Sequence, residues 1–291
     1  MTVSIAARGA LGIRKEASFA SGGGIDNWQV IESSTLEKRN VHITQDRIRN
    51  TPEQVNAPFS YTLVTGQLVF PVSPQTPNTW WECAIGGSGP YTPQIPLPSL
   101  ALEIQEGQIG TVYSSGDMIT RMELSSKKGD VLKCSVQIEG ADLAPRASST
   151  PTFASGDVPY LHSECTFTLD GVVNQDVESF TVTKENNNIT DLYGSSVRRR
   201  EIPATKAVVT GSIELLFSDT TMRNRFMNHT PSRITALYQR AGDSFQIDLV
   251  NIVYTSDIRP MSGQTSFILE TLQFSAYIDD TAQNSIKVTV V

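Results

Sequence analysis

No catalytic signature is present in this chain. There is no GxxxxGK[ST] phosphate loop, no HExxH, no GxSxG and no EF-hand loop, which removes the common routes to nucleotide, zinc, acyl-transfer and calcium chemistry. Histidine is scarce: His42, His162 and His229 are scattered, without partners at ligand spacing. His162-Ser163-Glu164 resembles a triad in letters only, because neighbouring side chains of a strand point to opposite faces. Gly22-Gly23-Gly24 and Gly86-Gly87-Ser88-Gly89 lack the strand-then-helix context of a phosphate cradle. The three cysteines, Cys83, Cys134 and Cys165, are odd in number and widely spaced with no CxxC, so neither a disulfide framework nor a zinc site is implied. Cys134 falls on an alternating apolar face and reads as a small buried hydrophobe made in a reducing compartment. No apolar run approaches the ~20 residues that cross a bilayer, and the start lacks the charged-then-apolar layout of an export signal. The expectation is a soluble protein with no catalytic, cofactor or metal residues.

Charge is also sparse. Charged residues make up 18% of the chain, against ~25% in typical domains, and 23 basic residues against 30 acidic give a net charge of −7. Sequence-specific nucleic-acid binding, which draws on Lys and Arg against phosphate, is disfavoured; a wall past which DNA slides is not. The one basic cluster, Arg198-Arg199-Arg200, reads either as a solvated loop tip or as a loop meeting an acidic patch on an adjacent subunit. Trp80-Trp81 reads as a core anchor on a short helix rather than a sugar platform. Asn186-Asn187-Asn188 and Asp279-Asp280 read as turn residues.

What the chain does have is a plan that runs twice. Val64-Thr65-Gly66 recurs as Val209-Thr210-Gly211, so positions 64 and 209 lie 145 apart in 291 residues. Leu68, Phe70 and Val72 then fall opposite Ile213, Leu215 and Phe217, and Trp81 opposite Phe226, at the same offset. Leu100, Leu102 and Ile104 match Phe245, Ile247 and Leu249; with slippage, Leu132, Cys134, Val136 and Ile138 match Leu272, Phe274, Ala276 and Ile278. Repeated apolar alternation predicts a repeated β fold. Strands are expected at 63–72, 100–104, 121–124, 131–138, 165–169, 179–183, 207–217, 233–239, 245–249 and 266–278. A helix is expected at 220–228 with Ser218 or Asp219 as its cap, and a hairpin turn at Arg240-Ala241-Gly242-Asp243. Gly66 and Gly211, inside apolar strands, mark bulges or close backbone approach. The organisation that follows is an arm at 1–27, a first β domain at 28–145, a linker at 146–160 and a second β domain at 161–291. Each domain is a mainly antiparallel sandwich or barrel with one short helix.

Three segments carry a resemblance. Gly12-Ile13-Arg14-Lys15-Glu16-Ala17-Ser18-Phe19 is similar to a Gly-x-x-Lys-Glu-x-x-Phe/Tyr start; the others are Phe180-Thr181-Val182-Thr183 through Asn186-Asn187-Asn188, and Ile202-Pro203 through Val209-Thr210-Gly211-Ser212-Ile213-Glu214-Leu215 with Asp219 opening the helix. On these the chain resembles the tail tube (major tail) proteins of long-tailed, non-contractile bacteriophages. The first half departs most, with Pro71 interrupting its strand and a Pro-rich 74–98 region that has no family equivalent.

The resemblance implies two tandem tail-tube domains and rings stacked into a hollow virion tube, assembled in the host cytoplasm, through which double-stranded DNA passes without specific binding. Family rings hold six tube domains, so a chain carrying two implies a homotrimeric, pseudo-sixfold ring. The implied partners are further copies of the chain and the tape-measure, tail terminator and distal tail proteins; no membrane is implied. Glu103, Glu106, Asp248 and Glu214 are expected on polar strand faces as lumen candidates. Segments 1–27, 50–60, 86–98 and 195–206 are candidates for contacts between rings. The competing readings are another ring or tube component of a virion or secretion system, a carbohydrate-binding β-sandwich using Trp80-Trp81, and an enzyme of unknown type.

Overall fold

Abundant β-branched residues in short alternating runs, punctuated by Gly and Pro, build a mainly antiparallel β structure with two short α-helices. The computed structural model describes residues 9–43, 57–107, 110–260, 268–279 and 281–291. The first half holds β1 (Ala10–Lys15), β2 (Asn27–Gln29), β3 (Ser33–Ser34), β4 (Glu37–His42), β5 (Phe59–Pro71), α1 (Thr79–Ala84), β6 (Leu100–Gln105), β7 (Thr111–Lys127), β8 (Lys133–Gly140) and β9 (Asp142–Pro145). The second holds β10 (Cys165–Leu169), β11 (Val172–Asn174), β12 (Val177–Glu185), β13 (Val208–Leu216), α2 (Thr221–Met227), β14 (Ser232–Arg240), β15 (Asp243–Ile258), β16 (Leu269–Ala276) and β17 (Lys287–Val290).

Strand pairing follows one plan in both halves. β1 pairs with β2 and β6, as β10 pairs with β11 and β14. β6 pairs with β7, as β14 pairs with β15. β7 then pairs with β8 and β9, as β15 pairs with β16 and β17. β5 lies between β4 and β8, as β13 lies between β12 and β16. The register agrees in detail: Gly66 is opposite Ile138 and Gly211 opposite Phe274. Even the bulges coincide. β7 shifts register between Ile119 and Arg121 against β8, and β15 between Tyr254 and Ser256 against β16.

β7 and β15 are the long strands because each serves two layers. The first part of β7 pairs with β6 and β9 in a small sheet; its later part pairs with β8 and, on its other edge, with β12. The β7–β12 ladder fuses the halves into one large sheet running β4, β5, β8, β7, β12, β13, β16 and the later part of β15. The small sheets and helices cover one face of it. Leu11, Ile13, Leu102 and Trp81 from that cover join Leu68, Val136, Ile213 and Phe274 of the large sheet in one buried core. Trp81 reaches across the halves to Phe245, with ring centroids 5.0 Å apart.

Several expectations shift. Residues 9–27 are not an arm: β1 buries Leu11 and Ile13 completely, an apolar pair in a stretch that looked polar because Gly, Arg and Lys surround it; residues 1–8 lie outside the description. The match of 100–104 to 245–249 also fails, since β6 occupies the place of β14. The chain needs residues 85–99 to pass from α1 to β6 but only 228–231 from α2 to β14, so a constant offset cannot hold. The β8 and β16 match is right in strand and four residues out in register: Val136 and Leu272 are equivalent, not Leu132 and Leu272. The run 146–159 carries no strand, but Tyr160 ends it inside the core. The turn at Arg240-Ala241-Gly242-Asp243 is a two-residue hairpin with positive φ at Ala241 and Gly242 (48° and 105°), the conformation that suits the twist of paired strands.

Candidate assembly surface

The large sheet has one covered face and one uncovered face. On the uncovered face β5 presents Thr65 and Gln67, β8 presents Ser135, Gln137 and Glu139, β13 presents Thr210, Ser212 and Glu214, and β16 presents Thr271, Gln273 and Ser275, all at least partly exposed. Short hydroxyl and amide side chains dominate, and the charges mix signs: Arg121 lies 2.8 Å from Glu123 and 4.0 Å from Glu185. Such exposed pairs contribute little stability, but they leave the face without a continuous cationic track.

The seam between β7 and β12 is built from Lys184 and Asn186, both buried. Lys184 lies opposite Met122, donates from Nζ to the Ala84 carbonyl at 2.8 Å, and touches Asn186 Oδ1. Asn186 donates from Nδ2 to the carbonyls of Ala84 (3.1 Å) and Ile119 (2.8 Å), and its backbone N–H donates to Thr120 O at 2.8 Å. The last carbonyls of a helix lack intrahelical donors, so the end of α1 is a natural acceptor for this cation and amide. Burial lowers the Lys184 pKa to about 8. Asn186, expected to be a turn residue, therefore seals the two halves.

The corresponding end of β15 is chemically different. Where β7 and β8 bury Met122, Leu124 and Cys134, the corresponding places hold Asp257 on β15, Arg259 just after β15 and Glu270 on β16. Arg259 reaches Asp257 at 2.9 Å and Glu270 at 3.9 Å. Asp257 Oδ1 and Glu270 Oε1 are buried and accept no hydrogen bond among the described residues. Burial first, then the Asp257 charge, push the Glu270 carboxyl up to about 7.

Of the four lumen candidates only Glu214 lies on the uncovered face. Glu103 is fully buried in a small sheet and accepts from the Ser149 N–H and hydroxyl, both at 2.8 Å. Asp248 is buried too and takes two hydrogen bonds from Arg233 and one from Thr235. Both look exposed in an alternating pattern because a buried acceptor with side-chain donors obeys the same alternation as a solvated one. Glu106 follows β6, outside the large sheet.

The arginine cluster is not a free loop tip. Arg199 is buried, pairs with Glu139 at 2.6 Å and donates to the carbonyls of Val64 and Gly140, while Arg198 pairs with Asp142 at 3.0 Å. The acidic partners lie in the same chain, and Val197 O accepts the Thr62 N–H at 2.9 Å. Segment 195–206 is thus fastened to the first half of its own chain.

Trp80 and Trp81 are fully buried, which overturns the sugar-platform reading. Cys134 is buried, and Cys83, Cys134 and Cys165 are all free thiols. His162 is held between Ser126 and the Val177 carbonyl, while Glu164 pairs with Arg240, so these letters make no triad. Among the described residues no cluster of His, Cys, Asp and Glu is placed to hold a metal. No described helix is long and apolar enough to cross a membrane.

A layered β chain with one smooth polar face and strand edges at both ends of its large sheet has the form of a wall element. No curated protein matches the chain at a significant level. The family model described as phage tail tube protein matches residues 6–277, which spans both halves, both helices and every strand of the large sheet. The chain belongs to the phage tail tube protein family, whose members are structural components of the virion tail.

Proposed function

We propose that this chain forms the tail tube of a long-tailed, non-contractile phage as stacked homotrimeric rings with pseudo-sixfold symmetry. Each chain supplies two tandem tube units, β1–β9 and β10–β17, joined by 146–160. The observation that carries this reading is the single pairing plan found in both halves, down to the bulge in β7 and β15, within a chain of this family.

The faces of the large sheet decide its orientation in a hollow ring. Small sheets and helices cover one face; were that face inward, they would fill the lumen. The uncovered face therefore lines the channel. Its Thr, Ser and Gln side chains and mixed charges give phosphate no row of cations to grip, so DNA passes in either direction without specific binding. Tape-measure, terminator and distal tail proteins meet the ends of such a tube, which is assembled in the host cytoplasm.

Electron cryomicroscopy of intact tails tests the reading. Threefold rings in which the two half-chains alternate at six similar places are expected. Six chains per ring would keep the tube and discard the two-unit stoichiometry, and tails lacking this chain would end the proposal.

A further inference from the structure

We infer that the open edge of β15 receives β4 of a second copy of this chain, in the register that β12 adopts on β7. This rests on the ring reading above and specifies its interface. β7 is paired on both edges through its later part, by β8 and β12. Its counterpart β15 is paired beyond Ile252 only by β16, because β14 ends its ladder at Ser232–Ile252. Among the described residues no strand lies on the other edge of 253–258. At the opposite end of the large sheet, β4 pairs, among the described residues, with β5 alone and most of it is exposed, although its counterpart β12 is sandwiched. Unpaired edges of this kind invite a further strand.

Residues already in place repeat the seam. β12 and the residue after it read Thr181-Val182-Thr183-Lys184-Glu185-Asn186, and the matching stretch leading into β4 reads Thr35-Leu36-Glu37-Lys38-Arg39-Asn40. Lys184 is opposite Val209 and Lys38 opposite Val64, the equivalent residue of β5. Transferring the β12–β7 register sets Glu37 opposite Ile258, Lys38 opposite Asp257 and Arg39 opposite Ser256 of the neighbouring chain. The Asn40 N–H then meets Thr255 O, and its side chain meets Tyr254 O, as Asn186 meets Thr120 and Ile119.

The one large difference between the two seams is compensated. Lys184 faces Met122 and ends on a helix carbonyl. Lys38 would face Asp257, where two buried carboxylates share the single cation Arg259. The arriving ammonium supplies the missing charge and a donor for oxygens that have none. On the other face the arriving Glu37 would lie against Ile258, which is 50% exposed in the single chain. Here Lys38 folds back to Asp142 at 2.9 Å; Arg198 holds the same carboxylate, so Asp142 stays paired when Lys38 leaves. Each chain offers β4 at one end and β15 at the other, a heterologous contact that closes into a ring.

Directly opposed strand residues place their β-carbons about 4.5–5.5 Å apart, near disulfide range. The chain with Glu37→Cys and Ile258→Cys together, assembled into tails and mildly oxidised, is expected to give covalent dimers and trimers and no longer ladder on a non-reducing gel. All variants carry Cys165→Ser, because Cys165 is only partly buried; each single variant should then remain monomeric, since Cys83 and Cys134 are buried. A ladder ending at six would keep this edge contact and overturn the trimeric ring. Uncrosslinked chains in rings that microscopy shows to be threefold would overturn the edge contact and leave the ring reading standing. If the double variant does not assemble, hydrogen exchange of the wild type decides. Amides 253–258 and 37–41 should gain protection at least tenfold between free chain and tail, and unchanged exchange there refutes the contact.

Discussion

Gly66 and Gly211 show how much one missing side chain can fix. A β-carbon on Gly211 would overlap the Thr181 carbonyl and the Phe274 ring, and one on Gly66 would overlap the Leu36 backbone. Neither position needs positive φ; what glycine supplies is close approach, which lets the Thr181 carbonyl and the Phe274 ring close on β13 and the stretch between β3 and β4 lie against β5. Gly211→Ala is therefore expected to destabilise the chain by about 1–3 kcal/mol through overpacking, while Thr210→Ala, on the exposed neighbour, changes stability by roughly 0.5 kcal/mol or less. Urea unfolding of the two variants checks the contrast. The functional meaning of these glycines was readable because the Val-Thr-Gly triplet recurs whole. Glu103 and Asp248 were not readable in the same way, since alternation reports which face a residue takes and not what waits there to bond it. Arg199 is the third case: three consecutive arginines look solvated, yet one guanidinium is enclosed by two carbonyls and Glu139.

At the scale of elements, most short strands and the second helix were legible, and the two longest strands were not. The strand expected at 121–124 is only the later part of β7, and that at 245–249 only the first part of β15. Each long strand changes layer and passes a bulge, and every bulge moves the apolar residues to the other parity, so period-two reading stops where the strand continues. The helix start was placed one residue early: the N-cap is Thr220, not Ser218 or Asp219, although the Asp219 carboxylate before it takes the Thr221 N–H at 2.7 Å. The seam was hidden for a different reason. Asn186 lies in an Asn run that suggests a turn, and its partners Ala84 and Ile119 are 102 and 67 residues away and offer only carbonyls that any residue would carry. Asn186→Ala removes both bonds; the Ala84 carbonyl keeps Lys184, but the Ile119 carbonyl loses its close donor and the buried Lys184 ammonium loses an acceptor, which costs about 1–3 kcal/mol for such groups. The expected outcome is a lower urea midpoint followed by Trp fluorescence, because Trp80 and Trp81 sit on the helix whose end Asn186 closes.

For the whole molecule, the balance of −7 does not by itself place any charge on the channel wall. Under the proposed orientation the large sheet supplies that placement, because the ladders that fix its core also fix which side chains share the other face. Gln137 and Gln273 occupy equivalent positions there, opposite Gln67 and Ser212, and both are exposed. Replacing a neutral amide by a guanidinium at both sites adds a cation to every unit of every ring without touching the core or the seam. Each phosphate held by a cation on a stack of rings adds to the electrostatic drag, and such contacts weaken as salt is raised. Phage carrying Gln137→Arg with Gln273→Arg is therefore expected to build tails of normal length and to release DNA several-fold more slowly at low salt, with the difference shrinking at high salt. Release timed by dye uptake after receptor triggering reads this directly. An unchanged rate in normally assembled tails would mean that this face looks outward, and the small sheets and helices would then have to line the channel instead.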